Sequence, residues 1–379
     1  MNKICFLATT PSVFNFFIKD HIINISKYAQ VTILTSNIKY LDNIFLNNPN
    51  IKFKEMHITR KTNFFLDLIL LIKIFFFFKK NKFYCVHTLM PKTGFIGMIA
   101  SYFACVNIRI HTFTGQIWIT MTPFMKFFFK YIDLATYKFS TATLVDSKHQ
   151  INFLHNNLKF EYNKMNLLNH GGLTGVDLDK FKINDNYRKQ IRNTYNIPSD
   201  NFVFIFVGRL NKDKGIKDLL SAYAKFNIHK NSEKFNLIII GDDEENIQSL
   251  INSHPFKLSI RYIKFSNEVN KFLNASDVFC LPSYREGFGN VILEASSSSL
   301  PVIATNIYGL DDVLIDKYSG LKIQPGDIND LFNKMNLLYN NINIRKNLGH
   351  NGRKHANKFF SNKDIQIAFI NLYKKLKII

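Results

Sequence analysis

The stretch SYREGFGNVILEASSSSLPVIATNIYGLDDVL, residues 283–314, carries a loop, a helix and a strand in one run of chain. Glu286 lies in the loop. Gly287, Phe288 and Gly289 lead into the helix, Asn290 opens it, and Glu294 falls in its early turns, with seven residues between it and Glu286. A Pro-Val-Ile-Ala strand follows. Unpaired amides at a helix N-terminus suit phosphate, and a carboxylate one turn deeper can accept from ligand hydroxyls. The same two acids would also serve as ordinary partners of the positive helix end.

Outward from that stretch, the second half of the chain repeats one grammar. Strands are expected at 202–207, 236–240, 260–263, 278–281 and 302–304. Helices are expected at 216–227, 245–252, 268–274, 289–299 and 328–339. In the first half, strands are expected at 4–8, 31–35, 84–87, 108–113 and 143–145, and helices at 12–28, 64–80, 93–105, 123–139 and 148–157. Such alternation implies parallel sheets wrapped by helices. The glycine-rich run NHGGLTGVDLDKF, residues 169–181, is the natural hinge. The reading is therefore α/β with two domains: 1–170, a hinge at 171–181, 182–360, and a C-terminal helix in 361–379 returning toward the first domain. Ligands of open parallel sheets gather at the carboxyl ends of the strands. Thr10, His87, His111 and Asp146 stand at such ends in the first half. Gly208 and Arg209 do so in the second, within GRLNKDKG (208–215), where Lys214 adds another cation. A glycine-bearing turn with two cations suits a diphosphate, and it equally suits a solvated surface turn. It is no Walker loop, because GxxxxGK[ST] is absent.

Composition narrows the classes. The chain has 379 residues, 46% of them hydrophobic, which favours two well-filled cores over disorder. Lys and Arg number 49 against 28 Asp and Glu, a net charge of +21 that asks for an anionic partner. The charges are scattered and form no recognisable nucleic-acid motif, so no specific nucleic acid is expected. Four separated cysteines without a CxxC pair read as free thiols in a reducing compartment. The run FFLDLILLIKIFFFFKK, residues 64–80, is interrupted by Asp67 and Lys73 and falls short of a membrane span. It reads as a mostly buried helix, with peripheral membrane contact as the open alternative.

The residues quoted so far resemble those of retaining glycosyltransferase family 4. The spaced Glu286 and Glu294, the strand after them and Gly309 are similar to that family's signature. GRLNKDKG resembles its phosphate-binding turn, GVDLDKF (175–181) its domain junction, and SGLKIQPGD (319–327) a strand late in its second domain. HTFTGQ, DSKHQ, LPSYREGFG and IYGL resemble the subgroup that builds bacterial capsule and O-antigen repeat units. The resemblance implies the GT-B architecture, two Rossmann-like domains with parallel sheets facing a central cleft. It implies that Arg209 and Lys214 hold the diphosphate of a nucleotide-sugar donor, with uridine as the base. It implies that Glu286 and the backbone of 287–289 hold the sugar, that Glu294 holds the ribose, and that His111 faces the reacting sugar. It further implies retention of configuration, no metal or other cofactor, a polyprenyl-diphosphate-linked acceptor, and a cytoplasmic location against the anionic inner face of the membrane.

The chain departs from that pattern at three places. Leu300 stands where glycine is usual, GDDEE (241–245) lacks a glycine-proline form, and KFSNEVNKF follows Ile263. Three other classes stay in view. A nucleotide-sugar epimerase would share the architecture. A nicotinamide oxidoreductase would need GxGxxG after the first strand, where this chain has ATTPSVF. A nucleic-acid-binding protein rests on charge alone.

Overall fold

The computed structural model describes residues 1–59, 63–232 and 234–379, which divide into two compact units: 1–174 with 363–379, and 175–362. Unit 1 begins with β1 (Lys3–Leu7), α1 (Pro11–Phe16), α2 (Lys19–Ile25), β2 (Gln30–Thr35), α3 (Asn43–Leu46) and β3 (Ile51–Glu55). It continues with α4 (Phe64–Asn81), β4 (Cys85–Leu89), α5 (Pro91–Phe103), β5 (Ile108–Phe113), α6 (Pro123–Phe139), β6 (Ala142–Val145), α7 (Lys148–Leu158) and β7 (Met165–Leu167). The strands are parallel, in the order β3-β2-β1-β4-β5-β6-β7. Their near-continuous apolar sequences fit a sheet covered on both faces. The register aligns Leu7, Thr88, His111 and Thr143 in one row across β1, β4, β5 and β6. The candidate residues therefore gather toward one edge.

Unit 2 comprises α8 (Asp185–Thr194), β8 (Phe202–Val207), α9 (Ile216–Lys230), β9 (Phe235–Ile240), α10 (Ile247–Ser253), β10 (Ile260–Ile263), α11 (Val269–Ala275) and β11 (Val278–Leu281). After them come α12 (Asn290–Ser297), β12 (Val302–Thr305), β13 (Gly320–Ile323), α13 (Ile328–Asn340) and α14 (Ile342–Phe359). Its sheet is also parallel, ordered β10-β9-β8-β11-β12-β13. The last helix, α15 (Asn362–Lys375), buries Ile365, Phe369, Leu372 and Tyr373 in the core of unit 1. Phe369 stacks on His21 with ring centroids 4.1 Å apart.

Several features differ from the sequence reading, beginning with α3, α8 and α14, helices it did not expect. The helix expected over 12–28 is two helices, α1 and α2. The turn between them buries Phe14, Ile18 and Ile22 and leaves Phe16 and Phe17 outside. Helix α4 is not mostly buried: only Leu70, Ile74 and Phe78, one stripe at a spacing of four, pack inward. Phe64, Phe65, Leu66, Leu68, Ile69, Ile72 and Phe76 remain exposed. Finally, β3 and β7 were not expected; both lie at sheet edges and bury few residues.

Candidate active site

In unit 2 the site starts at the end of β8. Gly208 N–H bonds the Ile240 carbonyl at 2.9 Å, and the chain turns through a short 3-10 segment that contains Lys214. Gly215 closes the turn at φ 65°, a conformation that costs glycine little. A Cβ there would stand 2.0 Å from the Pro282 carbonyl oxygen. This close approach lays the β8 turn against the loop that leaves β11. Lys214 Nζ consequently meets Glu286 Oε1 at 2.6 Å, and the Ser283 hydroxyl donates to the same oxygen at 2.8 Å. Among the described residues nothing pairs with the other Glu286 oxygen. The two loops are laced further. Arg285 meets Asp213 at 2.6 Å, Tyr284 N–H bonds the Asp213 carbonyl at 2.8 Å, and Tyr284 O–H donates to Asp218 at 2.7 Å. The Lys214–Glu286 pair is thus held on both sides by a rigid frame.

Arg209 lies outside that frame. Its guanidinium grips both oxygens of Glu244, at 2.9 and 3.1 Å, and Asn211 Nδ2 donates to Glu244 at 2.7 Å. Glu245 accepts the Lys212 N–H at 3.0 Å. The GDDEE departure therefore has a structural role: its two glutamates brace the cationic turn. An exposed pair of this kind adds little stability, so an incoming anion can take Arg209 from Glu244.

Helix α12 opens beyond Gly289, which adopts φ 73° as its N-cap. Among the described residues the N–H groups of 287–291 are paired with no acceptor. They remain available to an anion. The Phe288 side chain is buried, with its ring 5.6 Å from Phe360, and so offers only backbone to a ligand. Asn290 Oδ1 is enclosed without a partner. Glu294 keeps part of its surface accessible, yet burial pushes its carboxyl up to about 7 against the opposing pull of Lys180. No hydrogen-bond donor among the described residues reaches that carboxylate.

In unit 1, His111 is buried, and Nδ1 shares a hydrogen bond of 2.8 Å with the Thr88 hydroxyl. Its ring meets Phe113 edge-on at 4.5 Å. Gly94 of α5 covers the ring so closely that a Cβ would fall 2.3 Å from Cε1. Nε2 has no partner among the described residues. Burial drives the imidazole down to about 3, so it is neutral at physiological pH. His87 is committed on both nitrogens, to Tyr373 O–H and to Thr112 Oγ1, each at 2.7 Å. That is a core histidine tying α15 to the sheet. Thr10 bonds the Ser12 hydroxyl at 2.9 Å beside the start of α1. Sequence reasoning marked Asp146 only as a strand end. The structure leaves the residue only 5% exposed, which no spacing within the chain signals.

The profile of the family described as glycosyl transferases group 1 matches residues 187–355. The chain is 32% identical over 319 residues to the capsular polysaccharide biosynthesis glycosyltransferase CapM of Staphylococcus aureus, covering 82% of this chain and 81% of that protein. It is 28% identical over 281 residues to an Escherichia coli UDP-Gal:alpha-D-GlcNAc-diphosphoundecaprenol alpha-1,3-galactosyltransferase, covering 73% and 71%. In fold it is similar to sucrose-phosphate synthase from Thermosynechococcus elongatus, with TM-score 0.82, 19% identity and 99% of both chains covered. It is also similar to Anabaena Alr3699/HepE in complex with UDP and glucose, with TM-score 0.79, 17% identity and coverage of 99% and 100%.

Proposed function

The chain belongs to the glycosyl transferases of group 1, with a relative in capsular polysaccharide biosynthesis, and from that footing we propose its reaction. It moves a hexose or N-acetylhexosamine from a uridine-diphosphate sugar to a saccharide carried on polyprenyl diphosphate, with retention of configuration. The observation that carries this reading is the framed Lys214–Glu286 pair beside the unpaired amides of 287–291.

Sugar transfer passes through an oxocarbenium-like state while the leaving diphosphate gathers negative charge. Lys214, Arg209 and the α12 amides supply fixed positive charge for that diphosphate. Glu286 and the 287–289 backbone bind the sugar, and Glu294 accepts from the ribose hydroxyls. With protein cations meeting the charge, we assign no metal to the step. His111, neutral and buried, positions the reacting sugar rather than attacking it. The E. coli relative acts on a diphosphoundecaprenol acceptor, and this supports a lipid-linked acceptor for the present chain.

A lipid-linked acceptor places the enzyme at a membrane. No helix among the described residues is long and apolar enough to cross one. The exposed faces of α4 and α6 suit peripheral contact instead, with Phe65, Ile69, Ile72 and Phe76 on the first and Phe124, Phe127, Phe128 and Tyr131 on the second. Apolar surface of that extent marks an interaction site. Lys73, Lys79 and Lys80 stand beside it on α4, and attract anionic headgroups.

The donor assignment is tested by thermal shift with UDP and UDP-sugars in the presence of EDTA, on the wild type, Lys214→Met and Glu286→Gln. The wild type should be stabilised by UDP, and Lys214→Met should lose most of that stabilisation. Glu286→Gln should keep the shift with UDP and lose the extra shift given by the sugar. Equal shifts for all three proteins would remove both residues from the donor site.

A further inference from the structure

Asp146 is the first residue beyond β6, at the carboxyl edge of the unit 1 sheet. The register sets it beside the end of β5, because Val145 pairs with Phe113. The residue is only 5% exposed. Its main chain is fixed at both ends. The N–H donates to Gln150 Oε1 at 2.6 Å, and the carbonyl accepts the Gly172 N–H at 2.7 Å.

Its carboxylate is not fixed. Among the described residues no hydrogen-bond donor or cation reaches either oxygen, and neither oxygen is sealed from solvent. Enclosure without a partner pushes its pKa up to about 7. An enclosed, unpaired carboxylate costs folding energy and returns none. Two structural explanations fail. The cap of helix α7 is the neighbouring Ser147, whose hydroxyl accepts the Gln150 N–H at 2.9 Å, so Asp146 is not needed there. The other enclosed acid of this unit, Asp133, shows what a structural role looks like, since it accepts the Trp118 indole N–H at 2.8 Å. An asparagine would fill the place of Asp146 without the burden of a buried charge.

We propose that Asp146 receives the acceptor: its open carboxylate takes the hydrogen bond of the reacting hydroxyl and then its proton as the glycosidic bond forms. This rests on the transferase reading above. The acceptor oxygen bonds the anomeric carbon of the donor. The bond from that carbon to the diphosphate oxygen breaks, and its electron pair leaves with the nucleoside diphosphate. The hydroxyl proton passes to Asp146 and from there to solvent. A base with this proton affinity operates near its most effective range at neutral pH.

The test compares full-length wild type and Asp146→Asn with UDP-glucose, UDP-galactose and UDP-N-acetylglucosamine as donors and GlcNAc-diphosphoundecaprenol as acceptor. The change should lower kcat for transfer about 100-fold. It should leave the donor KM within two-fold and the melting temperature at pH 8 equal to or above that of the wild type. Transfer within three-fold of the wild type overturns the assignment. So does a lower melting temperature, which would show a structural carboxylate. If the wild type transfers from none of these donors, the transferase reading is what fails. The melting comparison still judges Asp146 on its own.

Discussion

Lys214 and Glu286 stand 72 positions apart in the chain and 2.6 Å apart in space. A donor that binds diphosphate to one and sugar to the other finds both already oriented, so little ordering cost remains at binding. Glu294 makes a separate test possible. Its carboxyl is raised to about 7 by burial. The folded state therefore holds the proton more tightly than the unfolded state, and stability falls as pH rises from the ordinary glutamate range through 7. Glu294→Gln removes that loss. Its melting temperature relative to the wild type should be higher at pH 8 than at pH 5, as scanning calorimetry at the two pH values would show; a difference independent of pH would contradict the enclosed carboxylate. The sequence made these residues legible as candidates because hydrophobic periodicity locates strand ends. It did not reveal their partners. Nothing local to Arg209 says that Glu244 holds it, and nothing near His111 says that Gly94 covers it. Those facts depend on how distant segments pack.

The secondary-structure elements were readable where they bury a full apolar stripe and obscure where they do not. β3 and β7 are edge strands and carry little apolar signal. α14 is polar along most of its length and buries Leu348, Gly349, Gly352 and Ala356. Gly349 reads locally as a helix breaker, yet it lets the helix approach so closely that a Cβ would lie 2.1 Å from the Ser299 carbonyl. Helix α4 misled in the opposite direction, because apolarity on every face looks like burial. Its exposed face makes a prediction of its own. The protein should co-sediment with phosphatidylglycerol-containing vesicles and much less with phosphatidylcholine alone. Phe65→Ser with Phe76→Ser should weaken that binding at least about ten-fold, since each lost aromatic contact is worth roughly 2 kcal/mol. Equal and negligible sedimentation with both vesicles would remove the membrane from the account.

At the level of the whole molecule, the two-unit plan was visible in the repeated strand–helix alternation, and both sheets are parallel as that alternation requires. The overall charge of +21 fits a protein whose proposed ligands, a nucleotide sugar, a lipid diphosphate and an anionic membrane, are all negative. The most direct measurement follows the acceptor by mass spectrometry and the new linkage by NMR, with the UDP-sugar that gives the largest thermal shift and GlcNAc-diphosphoundecaprenol as acceptor. The account predicts an acceptor lengthened by one sugar, joined with the anomeric configuration that sugar had in the donor. A donor that is epimerised or hydrolysed while the acceptor keeps its length, or a linkage of inverted configuration, would contradict it.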